Sequence, residues 1–147
     1  MPTGPMRTFL LIYTFIMMAI SAFTLGLVPR ALRDLGQERQ RLRETIPEAS
    51  FEEMVEAGYR VNVTLLLVEI LYYYLLLSHG GPEWQFLYGG SAFGVIHIGY
   101  LIAGRLEKRR LSRGIARTAA ARFLIWLTAI LTTLEAFFLL WVVFLLL

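Results

Sequence analysis

The sequence predicts an all-α integral membrane protein: four transmembrane helices in one bundle, with helical cytoplasmic linkers. Three observations predict it. Of 147 residues, 57% are hydrophobic, and the mean hydropathy of +0.61 exceeds what a soluble domain of this length can bury. Four apolar stretches, 8–28, 61–77, 84–103 and 123–147, are each long enough to cross a hydrocarbon core about 30 Å thick. Thirteen of the fourteen Lys and Arg residues fall in the two intervening segments 29–60 and 104–122. With no water in lipid to satisfy backbone groups, each stretch must be a helix. The whole chain, 1–147, reads as one domain.

The first stretch resembles a cleavable signal at its flanks, with Arg7 before it and the small pair Ala19 and Ser21 near its end. Its apolar run is longer than a signal core, so it is expected to be retained as a helix. The segment after it carries Arg30, Arg33, Arg39, Arg41, Arg43 and Arg60 among seven acids, and reads as helical on both sides of a bend at Pro47. Ser50 followed by Glu53 matches a capping box, so a helix is expected to begin there and run into the second stretch.

Between the second and third stretches, SHGGPE holds no Lys or Arg and reads as a short turn. The segment after the third, RLEKRRLSRGIARTAAAR, has seven basic residues and one acid. Its Arg105, Lys108, Arg109, Arg110 and Arg113 can hold anionic lipid headgroups at about 1 kcal/mol each, although the orientation bias of membrane proteins is enough to explain such a cluster. By that bias both basic segments are cytoplasmic, and both termini face outward. Trp84, Tyr88 and Trp141 suit the outer interface, and Tyr59, Tyr100 and Trp126 the inner one.

Inside the four stretches only Glu69, His97 and Glu135 are acids or histidines. At a rise of about 1.5 Å per residue they lie about 14, 20 and 18 Å from the outer ends of their helices, in one slab near the midplane. Residues three, four and seven apart share a helix face. Asn62, Glu69, Tyr72 and Tyr73 therefore align in the second helix, Gly90, Gly94 and His97 in the third, and Thr128, Thr132 and Glu135 in the fourth. Thr14 and Ser21 form a milder stripe in the first. These faces are expected to converge, with Gly90 and Gly94 as a small-xxx-small packing contact.

An ionised acid in mid-bilayer costs about 2.5 to 3.5 kcal/mol, so a Glu–His–Glu cluster raises the expectation of a site. It suggests proton or small-cation handling, as in a small transport protein. The competing expectation is a non-catalytic accessory subunit whose buried hydrogen bonds fix helix packing. An internal echo treats the two acids as equivalent: VEILYYYLLL and LEAFFLLWVV each place an acid before aromatic residues, as two repeats about an axis along the membrane normal would.

Several chemistries lack their residues. Cysteine is absent, which removes disulfides, thiolate metal sites and cysteine nucleophiles. The two histidines, His79 and His97, differ by about 17 Å in depth and cannot bracket a haem in one protomer. Neither Glu69 nor Glu135 has a histidine three positions on, as a di-iron site requires. Two acids and a histidine can still ligate a single divalent cation, but no cofactor is predicted. Phosphate loops, hydrolase triads and nucleic-acid modules are missing; an enzyme using His97 as base has no further motif to support it. Four helices make a complete path hard to build in a monomer, so membrane lipids and a homo-oligomer or larger membrane complex are the expected partners.

Overall fold

The computed structural model describes residues 4–33, 48–112 and 119–147, and among them every regular element is an α-helix. They are α1 (Gly4–Arg33), α2 (Glu48–His79), α3 (Trp84–Ser112) and α4 (Ala119–Leu146). Each contains a span long and apolar enough to cross a membrane, and each extends past the stretch read from hydropathy. α1 continues through Pro29 to Arg33. α2 begins at Glu48, directly after Pro47, so Ser50 sits inside its first turn rather than capping it. The bend expected at Pro47, the helix before it, and the side chains of Lys108, Arg110 and Arg113 lie outside the described residues.

The turn between α2 and α3 follows from its glycines. Gly80 donates its N–H to the Leu76 carbonyl at 2.8 Å, closing the last turn of α2. Gly81 then takes φ 103°, a left-handed conformation that a side chain would oppose, and Pro82 prevents the helix from resuming. The Glu83 carbonyl accepts from Phe86 and Leu87 and starts α3.

The helices run up and down. Neighbouring pairs such as Gly104 with Asn62 and Gly90 with Leu77 make α3 antiparallel to α2, and Gly89 with Phe138 aligns α4 against α3. Arg7 donates to the carbonyls of Leu146 and Leu147, so the start of α1 meets the end of α4. The α2–α3 turn, the start of α1 and the end of α4 thus share one end of the bundle, and the basic segments share the other.

Buried positions recur in steps of three and four: Leu10, Thr14, Met17 and Ser21 in α1, and Thr132, Glu135, Leu139, Val142 and Leu146 in α4. Such spacing produces shallow-angle, coiled-coil-like packing. Leu66, Glu69, Tyr73 and Leu76 of α2 repeat the step of Thr132, Glu135, Leu139 and Val142 of α4, so the two acids occupy equivalent places. Contacts are concentrated within two pairs, α2 with α3 and α1 with α4, and are sparse across the seam between the pairs. A two-fold relating α1 to α3 and α2 to α4 would produce this pattern.

The exterior is apolar on all four helices. Phe15, Leu71, Val95, Phe137 and Phe144 are all at least half exposed. Soluble monomers rarely expose continuous apolar surface of this kind. Trp84, Tyr88 and Trp141 are exposed near the turn end, and Trp126 near the basic end.

Candidate functional site

The six buried polar side chains of the described residues are Thr14, Ser21, Glu69, His97, Thr132 and Glu135, none more than 8% exposed. They occupy the inward stripe of their helices. Three of them meet at mid-bundle. His97 Nε2 lies 3.2 Å from Glu69 Oε2 and 3.4 Å from Glu135 Oε1. Its other nitrogen, Nδ1, is 2.7 Å from the carbonyl of Phe93, one turn earlier in α3. A carbonyl only accepts, so Nδ1 carries a hydrogen and the ring is held with Nε2 toward the acids. Tyr73 donates its hydroxyl to the same Oε1 of Glu135.

This geometry restricts where protons can reside. With Nδ1 and the Tyr73 hydroxyl committed as donors, the variable positions are Nε2 and the two carboxyl groups. Two ionised carboxylates facing a bare Nε2 would set three acceptors together, so at least one proton must be shared among them. It either makes the imidazolium or leaves a carboxylic acid donating to Nε2. Burying unpaired charge costs several kcal/mol per ion, so the geometry favours sharing that proton over leaving either acid as an isolated buried ion.

A second, smaller polar pair joins α1 to α2. Thr14 donates to the Leu10 carbonyl at 2.7 Å, so the Tyr72 hydroxyl, 2.9 Å away, is the donor to Thr14. Tyr13 donates to the Val68 carbonyl at 2.7 Å. Of the contacts that join different helices here, only His97–Glu69 stays within a helix pair. Glu135 with His97 and with Tyr73, Thr14 with Tyr72, and Tyr13 with Val68 all cross the seam.

Some sequence-selected residues fall elsewhere. Asn62 shares the face of Glu69 but is exposed, two turns toward the basic end, with its amide beside Gly104. Glycine there leaves nothing to cover it. Tyr100 does not act as an interface anchor: its ring packs edge-on against His97, and its hydroxyl is buried beside Thr128. Thr132 is buried one turn below Glu135. Tyr74 faces outward, which leaves Tyr72 and Tyr73 as the inward pair. Gly90 and Gly94 face α2, where added Cβ atoms would meet Leu77 at 3.3 Å and Tyr73 at 3.6 Å. His79 is exposed in the turn, apart from the cluster, and Arg105 is exposed at the basic end.

Sequence reasoning missed the layer above the cluster. Phe93 and Phe138 stack at 5.2 Å, and Tyr73 stacks on Phe93 at 6.0 Å. Gly89 makes room for this layer, since a Cβ there would lie 2.1 Å from the Phe138 ring. The glycine spacing in GGSAFG was a signal, but the adjacent Gly89 makes the closer approach. Among the described residues, no group of three His, Cys, Asp or Glu side chains is arranged to hold a metal ion. No family model, no curated protein and no solved structure matches the chain.

Proposed function

We propose that this chain is an integral membrane protein whose Glu69–His97–Glu135 cluster takes up and releases protons, in the service of proton or proton-coupled small-cation or solute transport. The observation that carries the reading is the imidazole between two acids, with Nδ1 locked on Phe93 and Nε2 free to exchange. Transfer of a proton from a carboxyl oxygen to Nε2 converts an acid–imidazole pair into a carboxylate–imidazolium pair without changing the cluster's charge. Gain or loss of a proton does change it, and in a low-dielectric interior that change favours compensating movement of another cation.

In this reading the apolar exterior faces lipid, and the basic segments face the cytoplasm, where exposed Arg105 meets anionic headgroups. The shared location of the α1 start and the α4 end supports placing both termini on the opposite side. The test is reconstitution into vesicles with a trapped pH-sensitive dye. An imposed pH gradient should collapse faster with the wild type than with Glu69→Gln or Glu135→Gln, each variant remaining helical and assembled. Gln variants that conduct like the wild type would refute it.

One feature favours the second reading, an accessory subunit packed against itself or a larger membrane complex. Gly99 has open space where a Cβ would be, and Ala103 one turn on is also exposed, a small-xxx-small surface suited to a neighbouring helix. For such a subunit, the Gln variants would leave partner activity intact or dissociate the complex.

A further inference from the structure

The surroundings of the cluster differ on its two sides. Toward the turn end, the next side chains inward are Tyr73, Phe93 and Phe138, stacked together, followed by buried Leu76, Leu139, Val142 and Phe86. The buried hydroxyls at this level are already committed, Tyr73 to Glu135, Tyr72 to Thr14 and Thr14 to the Leu10 carbonyl. Toward the basic end polar groups share the lining with buried Leu66. Thr132 is buried one turn below Glu135, and Tyr100 is one turn below His97. Thr128 follows two turns below Glu135, giving its own proton to the Leu124 carbonyl at 2.8 Å. The Tyr100 hydroxyl is buried beside Thr128. A tyrosine hydroxyl placed between this threonine ladder and the imidazole–carboxyl cluster can accept a proton on one side and donate one on the other.

We propose that the cluster exchanges protons with the basic-segment side alone, through Tyr100 and the Thr128–Thr132 ladder, while the Tyr73–Phe93–Phe138 layer seals it from the turn side. Tyr100 is on this account a positioning and relay residue for the proton site, and the proposal rests on that site binding protons at all. The groups facing His97 are Glu69 and Tyr73 from α2, Glu135 from α4 and Tyr100 from its own helix; α1 contributes only uncharged groups at this level, among them Thr14 and Ser21. Relay by Tyr100 is balanced: its oxygen accepts a proton from the basic side as its own O–H proton passes inward, and the hydroxyl then rotates back.

The chain's two histidines allow a direct test. His79 is exposed at the turn end and reports the pH there, while His97 reports the cluster. Protein carrying 15N-histidine is reconstituted into vesicles of phosphatidylcholine and phosphatidylglycerol, with insertion direction read by proteolysis of the basic segments. Interior and exterior are buffered at different pH, and both imidazoles are followed by 15N NMR. His97 should follow the compartment facing the basic segments while His79 follows the other. Tyr100→Phe, which removes the hydroxyl and keeps the ring against His97, should slow His97 exchange by about a hundredfold, the lower end of what a positioned proton donor contributes. Tyr74→Phe, an exposed tyrosine, serves as control. His97 following the His79 compartment, or both compartments equally, overturns the sidedness while leaving proton binding standing. A His97 signal that never responds to pH overturns both readings, and an unchanged exchange rate in Tyr100→Phe removes the relay.

Discussion

Tyr72 and Tyr73 are adjacent, equally buried at 0% and 1% exposure, and differ in what their hydroxyls bind. Tyr72 donates to a neutral threonine, and Tyr73 to a carboxyl oxygen. Replacing each with Phe removes one oxygen and keeps the ring and its stacking, so the two variants isolate the hydrogen bonds. A neutral bond between helices in a membrane protein is worth about 0.6 kcal/mol on average. A bond to a charged group is worth about 1.5–3 kcal/mol. Tyr73→Phe also leaves Oε1 of Glu135 with only the longer contact to His97. Tyr73→Phe should therefore cost at least about 1 kcal/mol more than Tyr72→Phe, or about fivefold in the unfolding equilibrium. Reversible unfolding by titrating dodecyl sulfate into mixed micelles, followed by tryptophan fluorescence, measures the difference. Equal costs, or a larger one for Tyr72→Phe, would show that Glu135 does not present a charged acceptor at this site and would refute the reasoning.

Other perturbations have defined outcomes. His97→Phe leaves two buried acids without their shared nitrogen and should destabilise by about 3–5 kcal/mol at neutral pH. The same unfolding titration measures the loss. Gly89→Ala forces a Cβ to 2.1 Å from the Phe138 ring, where about 3.5–4.0 Å is normal. It should cost about 1–3 kcal/mol, and Phe138→Leu should restore most of that in the double variant. Asn62→Leu, despite sharing the face of Glu69, should change stability by no more than about 0.5 kcal/mol, because the position is exposed.

Much of the bundle was legible from composition because stretches long and apolar enough to cross lipid have few conformations open to them. Twenty apolar residues and no internal water leave only the helix, and helical spacing selected the inward faces bearing Glu69, His97 and Glu135. Depth counted from the span ends put all three in one layer because the spans are nearly equal in length. What periodicity does not carry is the identity of the neighbour. Asn62 has the same azimuth as Glu69, yet burial there depends on α3, which presents Gly104. Tyr100 read as an interface aromatic because its depth suits one; only the packing of its ring against His97 distinguishes the two roles. The Phe93–Phe138 layer was invisible for the same reason, since phenylalanine on a membrane helix is equally at home in lipid and in a core.

The division into two helix pairs has a mechanical corollary. Between one pair and the other the polypeptide passes twice, both times at the basic end, while the turn of Gly80 and Gly81 and the clasp of Arg7 on Leu146 each stay inside a single pair. The two leaves are thus bound like a book along one edge only. Apart from sparse packing, what keeps the unbound edge shut is a handful of hydroxyl and carboxyl contacts at mid-height. Glu135 supplies two of those contacts, to Tyr73 and to His97, so a single carboxyl group bears on how firmly the unbound edge is held.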